Sequence, residues 1–215
     1  MMNILAKRVI SWLLAAAALC LGQAFAQEAP DVLIKRVSEE VLAIAKTDKQ
    51  IQAGNQDRIM EVVRAKVLPH VNFQRMTQLT AGRYWREATP EQQSALTNEF
   101  KMLLIYTYAG AVAQIRNQTL EFKPMRAAPD DTEVEVRTAV IQARGEPIQL
   151  NYRLEKTPNG WKIVDVNILG AWLVQTYRNS FAAEIQKGGI DGLIKTLAER
   201  NQHLSASPPK PVLKN

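Results

Sequence analysis

Apolar residues recur at helical spacing through the first half of the chain and alternate with polar ones through much of the second. From Asp31 onward, Leu33, Val37, Val41 and Ile44 fall on one helical face. Gly54-Asn55 interrupts the pattern, and Ile59, Val62, Val63 and Val67 predict a second helix ended by Pro69. A third segment, 73–81, places Phe73, Met76 and Leu79 on one face and closes at Gly82. Thr89-Pro90-Glu91-Gln92 reads as a helix start. Thr89 caps, Pro90 suits the first helical position, and Gln92 completes a capping box. The spacing predicts a helix from there to about Asn117.

One face of that helix carries Leu96, Phe100, Leu103, Leu104, Thr107, Ala111 and Ile115, while Met102, Ile105 and Tyr106 make the opposite face apolar too. A helix that is apolar all round is buried on both sides. The stretch 102–113 is too short to span a bilayer, which takes ~20 residues. It is expected to form a wall between an outer helical layer and an apolar interior.

The period then shortens to two. Leu120 and Phe122, then Val134, Val136 and Thr138, then Ile148, Leu150, Tyr152 and Leu154, then Trp161 and Ile163 alternate with polar neighbours. The last run continues to Ile168. These are four half-buried strands, and turns at 143–145 and 157–160 join three of them into an antiparallel meander. After Gly170 the helical spacing returns in Leu173, Val174, Tyr177, Phe181 and Ile185. Gly188-Gly189 ends that helix, and Ile190, Leu193, Ile194 and Leu197 mark a last one.

Helices, an antiparallel sheet and helices again define an α+β domain. A curved four-stranded sheet covered by helices makes an NTF2-like cone with an apolar cavity. Val134, Val136, Leu150, Tyr152, Trp161 and Ile163 are expected to face Leu103, Leu104, Thr107, Tyr108 and Ala111 across that space. Tyr84, Val166, Trp172, Tyr177 and Phe181 complete the expected lining.

The N-terminus has a different pattern. Lys7 and Arg8 precede an apolar run from Val9 to Leu21, followed by Ala24-Phe25-Ala26. This predicts a signal peptide, 1–26, cleaved after Ala26. Cys20 offers a lipoprotein alternative, but Leu19 stands where a small residue is needed. Cleavage removes Lys7, Arg8 and no carboxylate, leaving a charge of +4 and no cysteine. That arrangement suits a bacterial periplasm. Residues 27–203 form the expected domain, and the Pro-rich stretch 204–215 an expected disordered tail.

Composition excludes several classes. Hydrophobic residues make up 47% and charged residues 22%, which rules out a disordered, collagen-like or polytopic membrane chain. With no cysteine after cleavage and only His70 and His203, a zinc site or a cysteine nucleophile has little to draw on. Gly188-Gly189-Ile190-Asp191-Gly192 lacks the strand and lysine of a phosphate loop. Basic residues are scattered, without the dense aromatic-interleaved runs that nucleic acid would call for. Asp165, set among Ile163, Val164 and Val166, is the one carboxylate in apolar surroundings. It reads either as a raised-pKa general base or as a structural acid, turned outward by an irregularity or paired with an arginine.

Gly82-Arg83-Tyr84-Trp85-Arg86, Ala88-Thr89-Pro90-Glu91-Gln92, Leu103-Leu104 and Thr107-Tyr108-Ala109 resemble the MlaC family of periplasmic phospholipid carriers. So do Tyr152-Arg153-Leu154, the run from Gly160 to Val166, Tyr177-Arg178 with Phe181, and Gly189 to Leu197. The resemblance spans roughly Val32 to Arg200. It departs at Leu169-Gly170-Ala171-Trp172, where the family usually reads Glu-Gly-Val-Ser, and at Asn72, where aspartate is common. The resemblance implies a monomeric, non-enzymatic carrier with no cofactor and a phospholipid as cargo. Its implied partners are the substrate-binding ring subunit of an inner-membrane ABC complex and an outer-membrane lipoprotein–porin complex. Its implied role is to maintain outer-membrane lipid asymmetry. The alternative on a similar cone is an isomerase or hydrolase of a small apolar substrate, with Asp165 or a pocket tyrosine as base.

Overall fold

Polar caps set the helix starts. In the computed structural model, which describes residues 27–128, 130–143 and 145–206, α1 spans Pro30–Thr47, α2 Lys49–Gln52, α3 Gln56–Lys66, α4 Phe73–Ala81 and α5 Pro90–Tyr108. Asp48, Asn55 and Asn72 each accept backbone N–H bonds from the first turns of α2, α3 and α4. Asn72 caps as well as an aspartate would, so that departure costs the fold little. Thr89 and Gln92 form the expected capping box, with the Thr89 N–H donating to Gln92 Oε1 at 3.0 Å and the Gln92 N–H donating to Thr89 Oγ1 at 3.2 Å. Thr89→Ala should lower stability by about 1 kcal/mol, read as a lower urea midpoint with an unchanged slope.

α5 is buried on both sides, as its pattern requires. Phe100 meets Tyr177 and Phe181 edge-on, with centroids 5.2 and 4.9 Å apart. These two rings belong to α6, Leu173–Ser205, which breaks at Gly189 (φ 68°, ψ −172°). On the far side Ile105, with Met102 and Tyr106, packs against Ile59, Met60, Val62 and Val63 of α3. The regular helix stops at Tyr108 rather than near Asn117, and Ala109–Gln114 tightens into a 3₁₀ turn. Gly110 weakens the helix there, by about 1 kcal/mol relative to alanine, and the chain must turn to enter β1.

The sheet is an antiparallel meander in the order β1 (Thr119–Phe122), β2 (Glu133–Ile141), β3 (Ile148–Thr157), β4 (Gly160–Ile168), β5 (Ala171–Trp172). β5 adds a fifth strand to the expected four. At two residues it is too short to show an alternation. β4 carries a bulge. Arg153 pairs with Asp165 but Leu154 with Ile163, so Val164 is the extra residue. Ile163, Val166 and Ile168 therefore share the face of Leu154, Tyr152 and Leu150, while Asp165 falls on the other face beside Arg153. The free edge of β4 is covered by Val71 and by Asn72, whose N–H donates to the Ile163 carbonyl at 2.8 Å.

A two-residue turn joins β4 to β5, with Leu169 at φ 54° and Gly170 at φ 87°. This is the type I′ geometry, which favours Asn-Gly. A leucine there costs roughly 1–2 kcal/mol. No helix among the described residues is long and apolar enough to cross a membrane. The leader, 1–26, and the chain from 207 lie outside the described residues, whereas Leu204 and Ser205, assigned to the tail by composition, close α6.

Candidate functional site

α1 lies on the inner face of the sheet, and the space it leaves open is a cavity of about 300 Å³. Ile34, Val37, Ser38, Val41 and Leu42 of α1 form one wall, at the spacing of one helical face. Tyr108, Ala111, Val112 and Ile115, around the 3₁₀ turn, form the second. Leu120, Val140, Ile148, Leu150, Tyr152, Ile163 and Ile168 of the sheet form the third.

The polar groups in this lining are Ser38, the two tyrosine hydroxyls and the amides of Gln114, Gln118 and Gln142, all uncharged. Burial pushes the Tyr152 phenol up to about 12, partly offset by the adjacent Ser38 hydroxyl. Tyr108 is also raised, first by burial and then by Tyr177 beside it. Such a surface offers dispersion and exclusion of water, with neutral hydrogen-bonding groups among its lining residues.

Of the residues expected to line the space, Tyr108, Ala111, Leu150, Tyr152 and Ile163 do so. Val134 and Val136 are on the same sheet face but beneath Leu33, Ile34 and Val37 of α1, with Trp161 and Val166 at the margin of that cluster. Leu103, Leu104, Tyr177 and Phe181 form solid core between α5 and α6, with Tyr84 packed against it. The reason is that α3 and α6 fill both sides of α5, so the helix touches the cavity only where its regular turns end. Thr107 is half-buried, and its hydroxyl has no hydrogen-bond partner among the described residues. Trp172 lies under the Arg153 guanidinium, 4.4 Å from the ring centroid.

Asp165 is 1% exposed and points away from the cavity. Its Oδ1 accepts the Val166 N–H at 2.8 Å and the Val174 N–H at 3.0 Å, and Arg153 Nη1 lies 3.6 Å from Oδ2. Burial raises its pKa, and the two N–H bonds and Arg153 work against that shift. Both structural alternatives hold together: a bulge turns the acid outward, and an arginine meets it. The carboxylate caps α6, whose own N-cap residue, Trp172, supplies no side-chain bond. No group of three His, Cys, Asp or Glu side chains able to hold a metal ion occurs among the described residues.

The sequence profile of the MlaC protein family matches residues 35–199. The chain belongs to the MlaC family. One MlaC relative, the intermembrane phospholipid transport system binding protein of Haemophilus influenzae, is 24% identical over 189 residues, 86% of each chain. The toluene tolerance protein of Pseudomonas putida is 26% identical over 194 residues, 87% of this chain and 90% of its own. A solved structure from Ralstonia solanacearum, a phospholipid-binding protein in complex with a phospholipid, is 49% identical with a TM-score of 0.77, covering 81% of this chain and 98% of that one. In this chain, the α1 wall is what sequence reasoning missed. Its signal is the row Ile34, Val37, Ser38, Val41, in which a small polar residue sits on an otherwise apolar face.

Proposed function

We propose that this protein is a periplasmic phospholipid carrier that holds acyl chains between α1, the 109–114 turn and the sheet. The observation that carries the reading is the uncharged, almost wholly apolar cavity, in a chain 49% identical to a protein solved with a phospholipid bound. The glutamines at 114, 118 and 142 meet the headgroup, and the walls meet the tails. Export by the signal peptide places the carrier between an inner-membrane ABC complex and an outer-membrane lipoprotein–porin complex. Shuttling between them maintains outer-membrane asymmetry.

Energetics favour a soft site. Burying a methylene is worth about 0.8 kcal/mol, so some thirty of them represent roughly 25 kcal/mol relative to water. A carrier has to match the bilayer rather than beat it, and an apolar cavity without an ionic clamp does so. At about 300 Å³ the cavity lies at the low end of the ~300–1,000 Å³ typical of drug-sized ligands. Loading a whole phospholipid therefore spreads α1 and the 109–114 turn from the sheet.

The isomerase or hydrolase alternative finds less support. Asp165 is committed to backbone N–H groups on the other face of the sheet. Both cavity tyrosines are shifted upward, away from the range a base needs at neutral pH. Mass spectrometry of a solvent extract of the purified native protein tests the carrier reading. Phospholipid near one molecule or more per chain is expected, and a lipid-free extract would overturn it.

A further inference from the structure

The β4–β5 turn combines three features that do not belong together in a bystander. Leu169 has a left-handed backbone, φ 54°, which asparagine or glycine adopts far more cheaply. Its side chain is 60% exposed, although leucine is by preference a core residue. The turn is also held in place. The Leu169 N–H donates to the Gln149 carbonyl at 3.1 Å, and the Gly170 N–H to Asn167 Oδ1 at 3.0 Å. An apolar side chain kept in water on a strained, anchored turn argues for a use.

Register says where the turn stands. Leu169 follows Ile168 and bonds to the strand between Ile148 and Leu150, and all three of these residues line the cavity. It therefore stands at the end of the sheet that the cavity occupies.

α1 supplies the opposite wall. Its Leu33, Ile34 and Val37 pack at the far end of the sheet against Val134, Leu154 and Ile163, and Val41 and Leu42 run on along the cavity. Lys46 continues the face of Leu42 one turn further, and Lys49 follows in α2. Arg116 flanks Ile115, its guanidinium fixed by the carbonyls of Ala113 at 2.7 Å, Ile115 at 2.8 Å and Gln52 at 3.2 Å. All three cations are exposed, and none pairs with a carboxylate among the described residues. Asp48, between the two lysines, is taken by Arg58 at 2.7 Å.

An apolar prong and a group of cations at one end of an apolar cavity are the two components of peripheral binding to anionic lipid. We propose that this end of the molecule seats directly on an anionic phospholipid surface, with Leu169 as a wedge among the headgroups and Lys46, Lys49 and Arg116 against their phosphates. The proposal rests on the carrier reading, because it brings this end of the cavity to a layer of acyl chains.

The test is flotation of the purified protein with vesicles of phosphatidylglycerol and phosphatidylcholine in equal parts, against phosphatidylcholine alone, at low and high salt. The wild type should float with the mixed vesicles at low salt and lose them at high salt. Leu169→Asn should bind about tenfold less with an equal or higher melting temperature, because it installs the pair the turn favours. Lys46→Glu with Lys49→Glu should abolish the preference for phosphatidylglycerol. Leu169→Asn floating like the wild type would remove the wedge. A wild type that floats with neither vesicle would give this face to a protein partner and overturn the proposal. Copurified lipid separates the two ideas: lipid without vesicle binding leaves the carrier reading intact, whereas vesicle binding without lipid leaves only this face.

Discussion

Ala111→Phe should fold and purify normally but carry at least about tenfold less phospholipid than the wild type. Ala111 sits in the 3₁₀ turn after α5, half-buried, with its side chain on the cavity wall. An added ring has room only in the space that acyl chains would take. Each methylene it excludes forfeits about 0.8 kcal/mol. Three of them amount to roughly 2.4 kcal/mol, beyond the 1.4 kcal/mol that corresponds to tenfold in affinity. The measurement is phospholipid per protein by mass spectrometry, paired with thermal melting. A filled wall predicts the reverse, because overpacking costs about 1–3 kcal/mol of stability and leaves lipid content unchanged. That pattern would count against the cavity at this point.

The same residue shows what the sequence makes legible and what it hides. The strand period from Val134 to Thr138 and from Ile148 to Leu154 places both strands and their inward faces, because one side of each is buried and the other meets water. The apolar faces of α5 report burial on two sides just as well. A hydrophobic pattern cannot say whether a buried face meets a wall of side chains or an empty space. Leu103 and Leu104, which press on α6, therefore look the same in sequence as Ala111, which faces the cavity. The bulge at Val164 is hidden for a related reason. Ile163, Val164 and Val166 are all apolar, so the point at which the alternation changes phase leaves no mark. Asp165 marks it indirectly, since a carboxylate in that run must find partners somewhere. The fifth strand and the 3₁₀ end of α5 depend on the path of the chain between neighbours rather than on local preference.

Asp165→Ala should destabilise the protein by roughly 3 kcal/mol, because it strips the Val166 and Val174 N–H groups of their acceptor and each buried donor left unpaired costs about 1–3 kcal/mol. In a domain of this size the melting temperature should fall by roughly 6–12 °C, taking about 2–4 °C per kcal/mol. Asp165→Asn keeps an oxygen where both N–H groups point and should stay within about 1 kcal/mol of the wild type. The two variants also separate by pH. Burial raises the Asp165 pKa in the folded chain, so the folded state holds this proton more tightly than the unfolded state. Stability then falls as pH rises from the ordinary aspartate value, about 3.9, through the raised one, and the loss is complete above it. Asp165→Asn carries no such titration. Its melting temperature should therefore gain on the wild type across that window and run parallel to it at neutral pH. A gap that widened in the wild type's favour over the same window would mean that Arg153 and the two N–H bonds outweigh burial and hold the carboxylate charged. In either case Asp165→Asn should retain its lipid. The carboxylate acts on the join between β4 and α6, on the opposite face of the sheet from the cavity, whereas a catalytic base would lose its activity with the same near-isosteric change.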